Sequence, residues 1–202
     1  AKLGKTGTVK SIVCGKRSEK PPTPFNTTEF LRAASAIGIS PANAMRIAEY
    51  LYVNGFISYP RTDNTVYPPS LDTKGIIESF LNTEFREYAE MLLTGKLTPT
   101  RGKKETTDHP PIHPATPVKR SELNEDEWKI YELVVRRFFA TFAGETLWET
   151  MAVTVDISGE EFGANGARLV EQGWRWYYSY NMPEDRILPQ LKEGQSLDVK
   201  ET

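Results

Sequence analysis

Hydrophobic and polar positions change period twice along this chain. From Ala1 to Lys20 the pattern is strand-like, with Val9, Ser11 and Val13 alternating against Thr8, Lys10 and Ile12. The run ends in Pro21, Pro22 and Pro24, a stiff stretch that suits a domain boundary. The period then becomes helical. Thr27 and Thr28 offer an N-cap and Gly38 a C-terminal stop, which predicts a helix over 28–37. Ser40-Pro41 opens a second helix carrying Ala44, Ile47, Ala48 and Leu51 until Asn54-Gly55. Helices are predicted over Pro69–Phe80 and Phe85–Leu93. The stretch from Lys96 to Glu105 has no apolar period and reads as a mobile loop. The longest amphipathic run is Asn124–Ala143, with Glu125, Asp126 and Glu127 at its positive end and Trp128, Tyr131, Val135, Phe138 and Phe142 as a core stripe. From Thr146 onward the pattern returns to strands: Met151–Ile157, Glu161–Val170, Trp174–Tyr178 and Ser196–Val199.

Strand-rich ends enclosing a helical middle predict an α+β fold. Segments 1–21 and 146–202 would form an antiparallel β domain, and 22–145 a helical domain inserted in it. The two helices before Gly55, followed by extended Phe56–Tyr59, give the helical part a winged-helix-like organisation.

Composition narrows the class further. The 202 residues are 39% hydrophobic and 26% charged, an ordinary globular balance. No apolar run approaches the ~20 residues of a membrane span, and no charged-then-apolar leader opens the chain. A soluble, cytoplasmic, chromosome-associated protein without membrane partners is expected. Cys14 is the only cysteine, which excludes an internal disulfide and a Cys-rich zinc site; it reads as a small buried hydrophobe in a strand. The 25 basic and 27 acidic side chains leave a net charge of −2, so a DNA surface would be local. The chain begins with Ala rather than Met and reads as an excised portion of a larger enzyme.

The chemistry concentrates in residues 55–68, GFISYPRTDNTVYP. Pro60 forces Tyr59 into an extended conformation, and positions i and i+2 of an extended chain share a side, so Tyr59 and Arg61 project together. A phenol beside a guanidinium is a candidate nucleophile with its own phosphate clamp. A phenol is only about one part in a thousand ionised at pH 7, so its attack on phosphorus needs a cation to stabilise the developing charge. Asp63 could orient Arg61 or His109, or serve a turn or cap. Both histidines, His109 and His113, lie in Asp108–Pro114; Pro110 and Pro111 exclude the helix that a His-x-x-x-His metal pair requires. Tyr-Pro-Arg is equally what a surface turn with a solvated charge would show.

GFISYPRTDN closely resembles the active-site segment of the type IA DNA topoisomerases: Gly, two apolar residues, a small hydroxyl residue and the nucleophilic Tyr, then x-Arg-Thr-Asp and usually Ser. Ser58 stands where Thr is common and Asn64 where Ser is common. His109, Ile112 and Pro114 match the family's His-x-x-Ile-x-Pro, with His113 where many members have Arg. Pro22-x-Pro24-Phe25-x-Thr27, Leu51-Tyr52-x-x-Gly55, Arg136-Arg137-Phe138, Phe162-x-Ala164, Gly173-Trp174 and Leu188-Pro189-x-Leu191-x-x-Gly194 extend the resemblance over most of the chain.

The resemblance implies a nucleophile-bearing helical domain and a β arch over a DNA gate. It also implies a 5′-phosphotyrosyl intermediate on Tyr59 assisted by Arg61, ATP-independent strand passage, and a phosphate contact from His109. The candidate DNA surface adds Thr62, Asp63 and His113 to the basic loop of Arg101, Lys103 and Lys104. The partners implied are single-stranded DNA and the remaining domains of the same polypeptide. Nothing here resembles the family's Toprim half, so magnesium is expected in the intact enzyme but not on this chain, which alone should be inactive. A non-catalytic winged-helix DNA-binding module, in which Tyr59 stacks on a base, remains the alternative, and an interaction domain without nucleic acid a third.

Overall fold

In the computed structural model, which describes residues 5–200, the chain divides into two compact units. One comprises residues up to 19, 146–172 and from 183 onward; the other comprises 20–145 and 173–182. The part of the first predicted strand on residues 1–4 lies outside the described residues.

The β unit is one antiparallel sheet. Its strands are β1 (Thr6–Glu19), β2 (Thr146–Ile157), β3 (Glu160–Glu171) and the short β4 (Ser196–Asp198), in the order β3-β2-β1-β4. β2 starts earlier than Met151, and its first residues carry the unit's largest anchor, Trp148, which is 1% exposed. Between Val9 and Ser11 the pairing of β1 with β2 shifts at a bulge: Val9 faces Val155 and Ser11 faces Thr154, leaving Lys10 unpaired. One extra residue reverses the side on which the following residues point. The alternation predicted from Val9 to Val13 is therefore broken, with Val9 buried and Val13 exposed. Cys14 lies beyond the same bulge and is exposed, not buried as its residue type suggested.

The helical unit contains α1 (Thr27–Ala36), α2 (Pro41–Val53), α3 (Thr73–Ser79), α4 (Arg86–Leu93) and α5 (Glu125–Ala140). Asn26, rather than Thr27 or Thr28, caps α1, its side chain accepting from the Glu29 N–H at 2.9 Å. Ser40 caps α2, and Asp72 starts α3 later than Pro69. Asn124 and Glu127 close a reciprocal capping box on α5.

α5 is the centre of this unit and packs against α1, α2 and α4. Its predicted stripe is buried, and so are Ile130, Leu133, Val134 and Phe139, so the helix is enclosed nearly all round. The segment 174–178, predicted as a strand, instead forms a 3-10 turn over Gly173–Trp176, and its aromatics join the helical core. Gly173 causes the departure: its φ is +51° and a Cβ there would lie 2.2 Å from the Glu145 carbonyl oxygen, so the chain turns where no other residue fits. Trp174, Tyr177 and Tyr178 are buried, and Tyr178 meets Phe25 edge-on at 6.4 Å. Strand propensity from aromatic residues yields here to packing. Extended segments of this unit meet at isolated bridges, Phe25 with Ile112 and Ile57 with Pro114; among its described residues no named strand forms a wing.

Candidate active site

The Tyr59 segment leaves α2 and runs beside the histidine segment, joined to it by main-chain and hydroxyl bonds. The Ser58 N–H donates to the His113 carbonyl at 2.9 Å, and the His113 N–H returns a bond to Ser58 Oγ at 3.0 Å. On the other side, Thr27 Oγ donates to the Pro60 carbonyl at 2.8 Å and accepts from the Thr62 N–H at 2.9 Å, while the Thr27 N–H bonds the Thr62 carbonyl. The chain on both sides of Tyr59 is thus pinned, which restricts where the phenol can point.

Within this frame the Tyr59 ring lies between two others. His109 is tilted against it with ring centroids 4.7 Å apart, and Tyr52 of α2 meets it edge-on at 5.2 Å. Arg61 is exposed and forms an ion pair with Glu49 of α2, whose Oε1 accepts from Nε at 3.0 Å and also from Nη2. An open cleft beside it is lined by Thr27, Arg61, Asp63, Glu105, Thr106 and Asp108, among others. Thr106 donates to Asp108 at 2.6 Å, and that bond holds the Asp108 carboxyl below its ordinary range.

The predicted site residues separate into two groups. Tyr59 and His109 meet, with Arg61 beside them in sequence and exposed. Thr62 and His113 are not on the surface. Thr62 is 4% exposed and its hydroxyl donates to the His109 carbonyl at 3.1 Å, so it holds the histidine loop at the wall of the same cleft. His113 is 6% exposed, its Nδ1 donates to the Pro111 carbonyl at 2.8 Å, and its ring packs among Tyr67 and Phe138. Burial pushes its pKa down, as expected for an imidazole in an apolar surround.

Asp63 orients neither Arg61 nor a histidine. It pairs with Lys104, and Arg101 pairs with Glu105. Lys103 is exposed. The loop that carries these cations is irregular but held: the Thr65 N–H donates to the Lys104 carbonyl at 2.8 Å, the Gly102 N–H to the Thr65 carbonyl at 2.9 Å, and the Thr100 N–H to the Thr141 carbonyl at 2.8 Å. Gly102 permits this approach, since a Cβ there would sit 2.2 Å from Thr65 Oγ.

Three further residues belong to the site. Asn64, 3% exposed, donates through Nδ2 to the carbonyls of Thr106 and His109 at 2.8 and 3.1 Å and accepts the Val66 N–H. Its Asx-type bond to a residue two positions on is the local signal the sequence carries. Glu49 and Tyr52 come from α2; Tyr52 lies in the Leu51-Tyr52-x-x-Gly55 motif, and Glu49 has no signal beyond its helical spacing.

No group of three or more His, Cys, Asp or Glu side chains among the described residues is placed to hold a metal ion. No described helix is long and apolar enough to cross a membrane.

A family model described as DNA topoisomerase matches residues 1–202. The chain is 51% identical over 199 residues to DNA topoisomerase 1 of Archaeoglobus fulgidus, covering 98% of this chain and 30% of that protein. It is 32% identical over 203 residues to DNA topoisomerase 3-beta-1 of Mus musculus, covering 99% and 24% respectively. The full-length topoisomerase I of Thermotoga maritima shares the fold, with a TM-score of 0.70 at 22% identity over 96% of this chain and 33% of that one. The chain therefore spans about a third or less of the length of these relatives. A family match along the whole sequence, with half of its residues identical to a named relative, establishes that the chain belongs to the type IA DNA topoisomerases.

Proposed function

We propose that this chain is the tyrosine-bearing portion of an enzyme that changes DNA topology by breaking and rejoining one strand. The observation that carries the reading is the pinned Tyr59 phenol beside His109, with Arg61 two residues on and exposed. In the cleavage step Tyr59 Oη attacks a phosphodiester phosphorus, the bond to the 3′ oxygen breaks, and a 5′-phosphotyrosyl bond forms. The phenol loses a proton and the leaving 3′ oxygen gains one. The reverse attack by the 3′ hydroxyl restores both groups, and the covalent bond conserves the energy of the one it replaced, so no nucleotide is consumed.

Arg61 supplies the positive charge for the phosphoryl oxygens, and His109 holds a non-bridging oxygen. Single-stranded DNA would run past Arg61 and the loop of Arg101, Lys103 and Lys104, with phosphate contacts that set register without reading sequence. The general acid for the 3′ oxygen and the magnesium site are assigned to other parts of the complete polypeptide, so this chain alone is expected to bind DNA weakly and leave it uncut.

The test is covalent trapping. In the complete enzyme, an end-labelled single-stranded oligonucleotide should become protein-linked with wild type and not with Tyr59→Phe, while DNA affinity stays within about two-fold because only one oxygen is removed. Arg61→Lys keeps the charge and loses the fork, so cleavage should slow by roughly 10²-fold, the order of losing one oriented donor. Adduct formation by Tyr59→Phe would sink the assignment; DNA binding without any wild-type adduct would leave a binding module instead.

A further inference from the structure

Arg61 does not stand alone. Glu49 Oε1 accepts from Nε and Nη2, the two donors that form the side edge of the guanidinium, and so leaves the end edge, one Nη1 proton and the second Nη2 proton, for another acceptor. One turn along the same helix, Tyr52 abuts the Tyr59 ring. Side chains three apart on a helix lie about 5–6 Å from each other. The last turn of α2 thus presents Glu49 and Tyr52 together, and each meets its counterpart, Arg61 and Tyr59.

We propose that Glu49 is a positioning residue for strand cleavage: it fixes the Arg61 guanidinium by its side edge so that the end edge meets the phosphodiester attacked by Tyr59. This rests on the function proposed above. Arg61 and Glu49 are about half exposed, so the pair contributes little to stability, and what it restricts is the orientation of a long, rotamer-rich side chain. Orientation of a charged donor is where catalytic advantage is lost through small displacements. A carboxylate this close to a phosphate site also repels DNA, so Glu49 costs affinity while it helps the reaction.

Two measurements test it. In this chain, solvent exchange of the Arg61 Nε–H, followed by 15N NMR, should be several-fold faster in Glu49→Ala than in wild type and intermediate in Glu49→Gln, whose amide oxygen still accepts. In the complete enzyme, Glu49→Ala should lower the single-turnover cleavage rate at saturating DNA about three- to five-fold, the worth of one exposed, well-directed ion pair. Single-strand affinity should stay unchanged or tighten, and Glu49→Gln should recover part of the rate. In an Arg61→Ala background, Glu49→Ala should cost nothing further. An equal loss in both backgrounds, unchanged Nε–H exchange, or weakened DNA affinity with unaltered cleavage would overturn the proposal. If Tyr59→Phe still cleaved, the function would be misassigned, whereas the exchange result would stand on its own.

Discussion

His113 ties the stability of the helical unit to pH. The residue is 6% exposed, and burial holds its pKa below the ordinary 6.5. In the unfolded chain it titrates near ~6.5, so between that value and its lower folded value the unfolded state binds more protons. The stability it permits is complete above about pH 6.5 and is lost progressively as pH falls below it, with a slope no steeper than about 1.4 kcal/mol per pH unit for one proton. Urea midpoints at pH 7.5 and 5.5 should therefore separate, and the separation should shrink in His113→Phe, which suits the aromatic surround, but persist in His109→Ala. An identical separation in wild type and His113→Phe would place the acid sensitivity elsewhere. The two histidines show how residue type misleads: four positions apart in one Pro-rich stretch, one faces the candidate nucleophile and the other fills the core. Nothing local in the sequence distinguishes them, because the difference is made by Tyr67 and Phe138 arriving from distant positions.

Among the elements, helices with explicit caps were legible to within a few residues, and contacts between segments were not. Ser40-Pro41 and Asn124 start helices because their side chains satisfy N–H groups that the helix cannot, a rule written in adjacent residues. The Lys10 bulge and the Gly173 turn depend on what the chain meets in space, and both overturned the period read from the sequence. The candidate site divides in the same way. Tyr59, Arg61 and His109 stood out as motif residues, whereas the restraints that hold them, Glu49, Thr27 and Asn64, lie on other segments or look like turn residues. Asn64 offers the direct check of such a restraint. Its Nδ2 bonds carbonyls of Thr106 and His109, so Asn64→Ala leaves two carbonyls without that donor and loosens the histidine loop. Loss of stability of about 1–3 kcal/mol is expected from urea unfolding, with a cleavage defect in the complete enzyme larger than that of His109→Ala. A fully stable Asn64→Ala protein with normal cleavage would show that the loop is held without it.

At the scale of the whole chain the two units differ sharply in how much they bury. The continuous core, from Phe25 through the rings around α5 to Tyr178, belongs entirely to the helical unit. Among the described residues of the β unit, the buried apolar side chains are Val9, Trp148 and Val153. Its cohesion therefore rests mainly on main-chain pairing of β1 with β2 and β2 with β3, and exposed ladders of that kind add little net free energy per bond. Local stability follows buried apolar contacts, so the units should open at different free energies. Hydrogen–deuterium exchange is expected to find the slowest amides in α5, at residues such as Leu133, Val134 and Val135, exchanging only through global unfolding. Amides of β3 and of the outer half of β1 should exchange faster by at least 10-fold, a gap of about 1.4 kcal/mol in opening free energy. Trp148→Ala should widen the gap by speeding exchange across β1, β2 and β3 while leaving α5 unchanged, since that indole is the one large buried side chain among the described residues of the sheet unit. Equal protection of both units, or a speeding of α5 exchange in Trp148→Ala, would mean that the chain unfolds as one cooperative body and that the division of its core carries no energetic boundary.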